Sequence, residues 1–296
     1  MKRYIKTVFY ILLAAATTDA ACQNGNSPSL SLKKYLPDCS VNLSAGPSFT
    51  GIKGSTFSAN LQTKAGYTIG ADMTCYFKTY GKIKAGVSAG INYTLYSSEY
   101  KLNNLSDTVF TTDADNDDVY RYENVTNWTE KQRAGFIGVP ILIKGRYPVT
   151  PSIDIFASTG VCLSFSVNSD YKSSAVYTAS GYYPKYNVTL FDIDIDGSPY
   201  FYPTNKKLSD DNSLKLKGDL VIPVSAGVSY RLDRMISLTA GLNEFFGIKN
   251  ISGYNGTEVP VVDDNRKFSS LLQKENKVKT RAFAIELGVS LNLWNK

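Results

Sequence analysis

The sequence predicts an all-β protein, an eight-stranded antiparallel transmembrane β-barrel with short periplasmic turns and long extracellular loops. Three observations support this fold class. Apolar residues alternate with small or polar ones over long segments, the connections between these segments alternate between short and long, and aromatic residues lie near both ends of the apolar faces. Alternation with period two is typical of strands and not of helices.

The last predicted strand shows the alternation most clearly. From Phe283 to Leu293 every second residue is apolar, whereas Ala284, Glu286 and Gly288 between them are small or charged. Seven further segments repeat this pattern, and the full set is 40–50, 65–77, 83–96, 133–147, 153–167, 216–232, 236–249 and 280–294. These segments are about twice as long as the usual globular strand of ~5–6 residues.

The connections between the predicted strands alternate in length. Short ones lie at 78–82, 148–152 and 233–235, and long ones lie at 51–64, 97–132, 168–215 and 250–279. Short turns on one side and long loops on the other are typical of transmembrane barrels, in which the short turns face the periplasm. With eight strands, both ends of the barrel are expected on that side.

The composition of the two faces predicts which one meets lipid. The non-apolar face consists mainly of Gly, Ala, Ser, Thr and Asn, which suit the narrow interior of eight strands. The apolar face then points at lipid, and a closed barrel satisfies every backbone hydrogen bond within the bilayer. Tyr67 and Phe77 are separated by about 23 Å along a tilted strand, close to the expected apolar band of ~25 Å. The alternative is a soluble periplasmic β-sandwich with the apolar faces buried.

Glu244 is the main exception to the alternation. It falls on the apolar face of the seventh predicted strand. We expect either that it lies at the outer membrane interface or that a β-bulge changes the register there.

The first 22 residues predict an export signal. Lys2, Arg3 and Lys6 precede the apolar run "VFYILLAAA", and small residues follow it. The predicted organisation is a signal peptide at 1–22, a periplasmic lead-in at 23–39 and a barrel at 40–296, with a multi-pass location in the cell outer membrane. Lipidation of Cys22 is left open, because Asp19 stands where a lipobox has Leu.

Composition argues against several functional classes. The chain contains no His, the usual base of outer-membrane hydrolases, so we expect no enzyme and no cofactor. Without residues 1–22, the 32 basic and 26 acidic side chains fall to 29 and 25, a net charge of +4 with no basic run that would suggest nucleic acid. The Cys spacings match no metal motif, and pairing of Cys39 with Cys75 is left open.

The inward-facing positions carry seven charged residues. They are Asp72, Lys84, Lys144, Arg146, Asp154, Arg231 and Glu286. We expect an internal ion-pair network that fills the narrow barrel, because buried charges must be paired; a polar pore or gate is the alternative. The Lys84, Arg146, Asp154 and Arg231 side chains are expected near the periplasmic mouth, with Asp72 and Glu286 deeper.

The string "DIDIDG" is a weak calcium candidate. Asp192, Asp194 and Asp196 stand at alternate positions before Gly197, as in the opening of a calcium loop. The twelfth position is Pro203 where such loops have Glu, so an exposed hairpin with an acidic face explains the string equally well.

Two stretches resemble a known family. "GVPILIKGRY" (138–147) and "NEFFGIKNIS" (243–252) resemble signatures of the PorT-like outer-membrane β-barrel family of the Bacteroidota. The first stretch has Val139 where that family more often has Ile. The resemblance covers roughly residues 40–296. It implies an eight-stranded barrel in a family whose members mostly lack an assigned function, a few being accessories to protein secretion.

The long loops are the expected place of function. Loop 168–215 is rich in Tyr, Ser, Asp and Asn, which either contact a partner or fold the loop. The predicted function is a structural or protein-interaction role at the cell envelope, including a secretion or assembly accessory that acts through loops or barrel wall; the alternative is a small pore for ions or solutes. The expected partners are outer-membrane lipid, lipopolysaccharide and another envelope protein, and the barrel is expected to be a monomer.

Overall fold

The computed structural model describes residues 38–54, 60–113, 115–194, 201–253, 261–262, 267–275 and 277–293. Pro37–Lys296 form one compact unit, and the other, Met1–Leu36, lies outside the described residues. The predicted signal peptide and nearly all of the predicted lead-in therefore lie outside them as well. No helix of the described residues is long and apolar enough to cross a membrane.

The described chain is built almost entirely of antiparallel strands. Their bounds are β1 (Asp38–Gly54), β2 (Asn60–Tyr80), β3 (Ile83–Thr112), β4 (Asp118–Pro148), β5 (Ile153–Tyr183), β6 (Val188–Leu190), β7 (Ile193–Asp194), β8 (Phe201–Tyr202), β9 (Lys206–Ser213), β10 (Asp219–Arg231), β11 (Ile236–Gly247) and β12 (Val278–Asn292). Strands β1 to β5 and β10 to β12 are hydrogen-bonded in a ring, which the pairing of β10 with β5 closes. The predicted eight-stranded barrel is confirmed.

Apolar side chains on the outside and small ones on the inside give the barrel its two faces. On β12, Leu287 is 66% exposed, whereas Ala284 is 0% exposed. Exposed apolar side chains recur on every strand of the ring, among them Leu43, Ile69, Ile91, Ile143, Leu163, Val228 and Leu242. An apolar surface of this extent is unfavourable in water, but it suits a bilayer, in which a closed ring leaves no backbone edge unpaired. The barrel therefore spans a membrane, and the soluble sandwich is wrong.

Short turns join the strands on the periplasmic side. Gly81 begins the turn between β2 and β3 with φ +61°, a left-handed conformation that glycine adopts without strain. In the turn between β10 and β11, the Asp233 carboxylate accepts hydrogen bonds from the backbone N–H groups of Met235 (2.6 Å) and Ile236 (2.7 Å).

Strands β3, β4 and β5 continue far beyond the membrane, where the apolar face turns inward. On β5, Leu163 and Phe165 face lipid, whereas Tyr171 and Ala175 are buried inside the barrel. Most apolar residues of β5 stay at odd positions, but the register against β4 shifts where Val167 is inserted. One extra residue exchanges the two faces of a strand, so this bulge ends the lipid-facing wall and begins an extracellular extension with an apolar interior.

The described part of the connection between β11 and β12 packs inside that extension. Its buried residues Ile251, Val262, Phe268, Leu271 and Leu272 join the apolar cluster of the strands. A short 3-10 helix at Leu271–Lys274 carries the two leucines, and Ser270 caps its start. The predicted long loops are therefore replaced largely by extended strands around a folded segment.

Glu244 lies at the outer interface. The register of β10 and β11 runs without interruption from Val221↔Gly247 to Arg231↔Ser237, so the bulge alternative is wrong. The Glu244 Oε1 atom lies 2.5 Å from Nη2 of Arg281, on the neighbouring strand β12. The guanidinium group of Arg281 also lies 5.4 Å from the ring centroid of Phe246. The carboxylate on the apolar face is thus paired.

A disulfide joins β1 to β2 near the periplasmic rim. Cys39 and Cys75 are directly opposite each other in the register, with their Cα atoms 4.1 Å apart, and their sulfur atoms are bonded. The pairing that the sequence left open is therefore formed. Among the described cysteines, Cys162 is free and buried in the lumen.

An arginine on the lipid-facing wall tests the sidedness. Leu287→Arg is expected to destabilise the barrel by about 2–4 kcal/mol, because a charge near the bilayer midplane loses its hydration. The measurement is denaturant unfolding in lipid vesicles. Val149→Arg is the matched control, because Val149 is 55% exposed but lies in a periplasmic turn. Equal, small effects of the two substitutions would contradict a lipid-facing wall.

Candidate functional site

Within the membrane, small polar side chains nearly fill the lumen. The described residues enclose a cavity of about 120 Å³. Its wall includes Asn42, Asp72, Lys144 and Glu286, together with Phe156. Eight strands leave an interior just wide enough for side chains. A cavity of this size holds a few water molecules, and it provides no wide channel.

The periplasmic mouth of the lumen holds an ion-pair cluster. The Asp154 carboxylate accepts hydrogen bonds from Arg146, with Nε to Oδ2 at 2.8 Å. Nη2 of Arg231 lies 3.7 Å from the same Oδ2 atom. Lys84 lies near the same rim, but its Nζ pairs with Asp38 at 2.7 Å. The sequence analysis missed Asp38, because it assigned 23–39 to the lead-in, whereas β1 begins at Asp38. The signal that could have identified it is an acidic residue directly before Cys39.

The deeper charged residues are held by neutral partners. Asp72 accepts hydrogen bonds from Asn42 Nδ2 (2.7 Å), Ser88 Oγ (2.6 Å) and Thr74 Oγ1 (3.0 Å). Sequence reasoning missed Asn42, which also donates to Thr74 Oγ1 (3.0 Å) and accepts from Ser290 (2.6 Å). Its place on the inward face of β1 was the only signal.

Glu286 and Lys144 also lack an ion pair within the described part of the chain. Glu286 Oε1 accepts a hydrogen bond from Thr68 Oγ1 at 2.5 Å. The Nζ atom of Lys144 lies 4.9 Å from the ring centroid of Phe156. The seven predicted residues are thus divided between ion pairs at the mouth and, deeper in the lumen, two hydrogen-bonded carboxylates and a lysine that lies over an aromatic ring.

Above the membrane, a buried carboxylate anchors the β11–β12 connection. Glu130 is 0% exposed. Its Oε1 accepts from Ser270 Oγ (2.6 Å) and Gln132 Nε2 (2.5 Å), and its Oε2 accepts from the Leu271 N–H (2.9 Å) and Ser173 Oγ (2.9 Å). Burial raises the pKa of Glu130, and these hydrogen bonds oppose the increase.

A second buried carboxylate, Glu123, binds the same connection. Arg121 Nε lies 2.9 Å from Glu123 Oε1, and Tyr177 donates its hydroxyl to that oxygen at 3.0 Å. The Val261 N–H donates to Glu123 Oε2 (3.1 Å), and Arg121 Nη2 donates to the Val262 carbonyl (3.2 Å). Burial raises the pKa of Glu123, and the nearby Arg121 opposes it. Both glutamates lie in the segment that the sequence predicted to be a loop, so nothing marked them as buried.

Aromatic packing completes this anchor. The rings of Trp128 and Phe268 lie 5.3 Å apart, and the Tyr171 hydroxyl donates to the Phe268 carbonyl at 2.5 Å. Trp128 is 1% exposed. The described part of the β11–β12 connection is therefore held inside the extension by apolar burial and by two carboxylates.

The outer face of the extension carries a row of aromatic residues, of which Phe110, Tyr120 and Tyr122 are exposed and Tyr182 is half-buried. The rings of Phe110 and Tyr120 lie 5.2 Å apart on β3 and β4, and Tyr182 is the β5 partner of Tyr120 in the register. Tyr122 lies next to this row with 47% of its surface exposed. We call these four residues the aromatic row. Of the other Tyr residues in the predicted loop 168–215, Tyr171, Tyr177, Tyr183 and Tyr202 are buried and stabilise the extension.

The calcium candidate is not assembled in the described residues. Asp192 is exposed at a turn with φ +55°, Asp194 belongs to β7, and Asp196 lies outside the described residues. No group of three or more acidic, Cys or His side chains in the described ranges could hold a metal ion.

Taken together, the closed eight-stranded ring, the lipid-facing apolar wall, the short turns on one side and the extended strands on the other define an outer-membrane β-barrel. The chain is a protein of this class.

Comparison with known proteins adds no finer identity. No protein-family model and no curated protein matches the chain. The PorT-like resemblance therefore stays a prediction.

Solved structures with similar folds include Neisserial surface protein A, at 12% identity and a TM-score of 0.34, with 86% of this chain and 97% of that chain covered. The outer membrane protein AlkL, solved in lipid bilayers, matches at 10% identity and a TM-score of 0.34, covering 93% and 98%. The Escherichia coli outer membrane protease OmpT matches at 9% identity and a TM-score of 0.34, covering 86% and 97%. Scores this low do not transfer a role, and they do not decide whether this chain is an enzyme.

Two substitutions in the lumen are expected to differ in cost. Asp154→Ala leaves Arg146 and Arg231 without their carboxylate, which costs about 3 kcal/mol for a buried ion pair. Glu286→Ala removes one hydrogen bond from Thr68 and costs about 1 kcal/mol. The unfolding midpoint in heat-modifiability gels should therefore fall further for Asp154→Ala. An equal shift, or the reverse order, would contradict the separation into two groups.

The extension is expected to lose stability as pH rises. Below the ordinary Glu pKa of 4.5, Glu130 is protonated whether the extension is folded or unfolded. Above it, the unfolded chain releases the proton first, so stability falls as pH rises through the raised pKa; Glu123 contributes with the same sign. The urea midpoint reported by Trp128 fluorescence, in a Trp294→Phe background, should fall as the pH is raised above 4.5. Glu130→Gln is the control, and an unchanged pH slope in that variant would contradict the assignment.

Proposed function

We propose that this barrel is an interaction protein of the cell envelope, which presents the outer face of its extracellular extension to another protein. The aromatic row carries the proposal. Aromatic residues are enriched at the centres of protein interfaces, because they bury a large area at a small cost in side-chain entropy. The row is not part of the apolar core of the extension, which lies on the opposite face of the same strands.

The rigidity of the extension supports this role. The strands that present the row pair continuously, from Ser97↔Arg133 to Thr112↔Asp118 between β3 and β4, with one irregularity near Asn127. On their inner face, Val119, Val125 and Tyr177 are buried. A surface that is ordered before binding loses little entropy when a partner docks.

A pore for ions or solutes is supported less well. The lumen holds a cavity of about 120 Å³, and the buried side chains of Phe268, Leu271 and Leu272 fill the extension above it. The PorT-like resemblance implies the more specific role of an accessory in secretion or envelope assembly. That role is compatible with an interaction surface outside the membrane, and it is part of the proposal.

Photo-crosslinking in whole cells tests the interaction. A photoreactive phenylalanine analogue at position 110 or 122 is expected to give a discrete crosslinked band on illumination. The same analogue at Asn103, which is exposed on β3 outside the aromatic row, is the matched control and should give none. Phe110→Ala should weaken the band obtained from position 122. Bands of equal intensity at 103 and 110, or no band at either position of the row, would overturn the proposal.

Planar-bilayer recording separates the interaction role from the pore. We expect no steady conductance from the purified barrel, because side chains fill the lumen. A steady, salt-dependent conductance that changes with Lys144→Gln would favour the pore, since Lys144 lines the lumen cavity.

A further inference from the structure

A basic cleft lies on the outer wall of the barrel, just above the lipid-facing surface. It has a volume of about 350 Å³ and crosses strands β2 to β5. Four basic side chains and two carboxylates line it: Lys64, Lys131, Arg133, Lys172, Glu99 and Asp170. The net charge of these six side chains is +2. We call this feature the basic cleft.

The basic cleft lies at the level of the lipid headgroups. Tyr67 and Tyr93, whose ring centroids are 5.8 Å apart, mark the upper end of the apolar wall beneath it. Exposed Ile137 and Phe165 lie at the same height on β4 and β5. Arg133 is four residues beyond Ile137 on β4 and so lies roughly 9 Å further from the membrane centre on a tilted strand. This distance matches the headgroup layer outside the hydrocarbon core.

Some of the cations in the cleft are already paired. Glu99 lies 3.0 Å from Lys64 and 3.3 Å from Lys101, measured from carboxylate oxygen to Nζ. Lys172 pairs with Asp211 at 2.6 Å. The Glu99 side chain is only 8% exposed. Lys64 and Lys101 cover it, and Lys64 lines the cleft.

Arg133 and Lys131, unlike Lys64 and Lys172, have no carboxylate oxygen within 4.0 Å in the described part of the chain. Both side chains are exposed. Both side chains project from the outer face of β4, two residues apart. A guanidinium group binds phosphate oxygens through two parallel hydrogen bonds, and a neighbouring ammonium group adds a point charge. Two unpaired cations at headgroup level therefore favour a phosphate group that belongs to a lipid.

We propose that the basic cleft binds a phosphorylated glycolipid of the outer leaflet, a lipopolysaccharide, through its phosphate group. Arg133 and Lys131 contact the phosphate, and Lys64 and Lys172 contribute to the local positive potential. The acyl chains lie along the exposed apolar side chains of Ile137 and Phe165. This lipid site is separate from the aromatic row and goes beyond the proposed interaction function.

Binding of defined lipids to the full-length barrel in detergent micelles tests the proposal. The probes are bisphosphorylated lipid A, dephosphorylated lipid A and inorganic phosphate, with dissociation constants measured by native mass spectrometry. Removing one cation near a charged lipid surface weakens binding about fivefold. Lys131→Gln combined with Arg133→Gln should therefore weaken the binding of bisphosphorylated lipid A roughly 25-fold. Dephosphorylated lipid A should bind weakly to the wild type and to the double variant alike.

Lys207→Gln is the matched control. Lys207 is an exposed lysine on β9 that pairs in register with Val176, six residues beyond Asp170 along β5. The Lys207→Gln variant should bind bisphosphorylated lipid A with wild-type affinity. All variants should keep the wild-type unfolding midpoint in heat-modifiability gels. Equal affinity of the double variant and the wild type would overturn the proposal. So would equal affinity for the two lipids, or inorganic phosphate that binds as tightly as the lipid and with the same dependence on Arg133, because the cleft would then be a site for a free anion.

Discussion

The pairing of backbone hydrogen bonds around a closed ring is the constraint on which this structure depends. A bilayer offers no water to an unpaired N–H or C=O group, so a sheet can cross it only when its two edges meet. Pairing of β10 with β5 closes the ring here. Once the ring is closed, the pleat sends alternate side chains to lipid and to the lumen, and the residues of each strand sort accordingly.

Outside the membrane, the same alternation places apolar side chains inside the barrel and not on its outer wall. Beyond the bulge at Val167, the odd-numbered residues of β5 face a protein core and no longer face lipid. The inside of the extension becomes largely apolar, with the described part of the β11–β12 connection packed into it, while the outside becomes available for aromatic and charged side chains. The aromatic row and the basic cleft both lie on this outer surface, at different heights above the bilayer. On β5, one inserted residue thus separates the lipid-facing wall from the outer surface of the extension, for which we propose a role in recognition.

The sequence predicted most of the membrane-spanning part and little of the extension. Within the bilayer the environment is uniform, so strict alternation such as that from Phe283 to Leu293 identifies both the strand and its faces. Outside the bilayer, bulges at Asn127 and Val167 exchange the two faces of a strand. Polar residues are frequent in 97–132 and 168–215, so the sequence predicted loops there. The sequence predicted Glu123 and Glu130 to be surface residues, because their burial depends on long-range contacts with Val261, Ser270 and Leu271. The lumen residues were placed on the inward face, but their partners depend on side-chain geometry: Glu286 bonds to Thr68 and not to a cation.

The change of environment along the outer wall is the central claim, and spin-label accessibility measures it most directly. Single nitroxide labels would be placed at 287 on the wall and at 120 on the extension, both exposed positions, in the barrel reconstituted in lipid vesicles. The account predicts that the label at 287 relaxes faster with oxygen dissolved in the bilayer, and that the label at 120 relaxes faster with a water-soluble nickel complex. A label at 287 that responds to nickel and not to oxygen would contradict it.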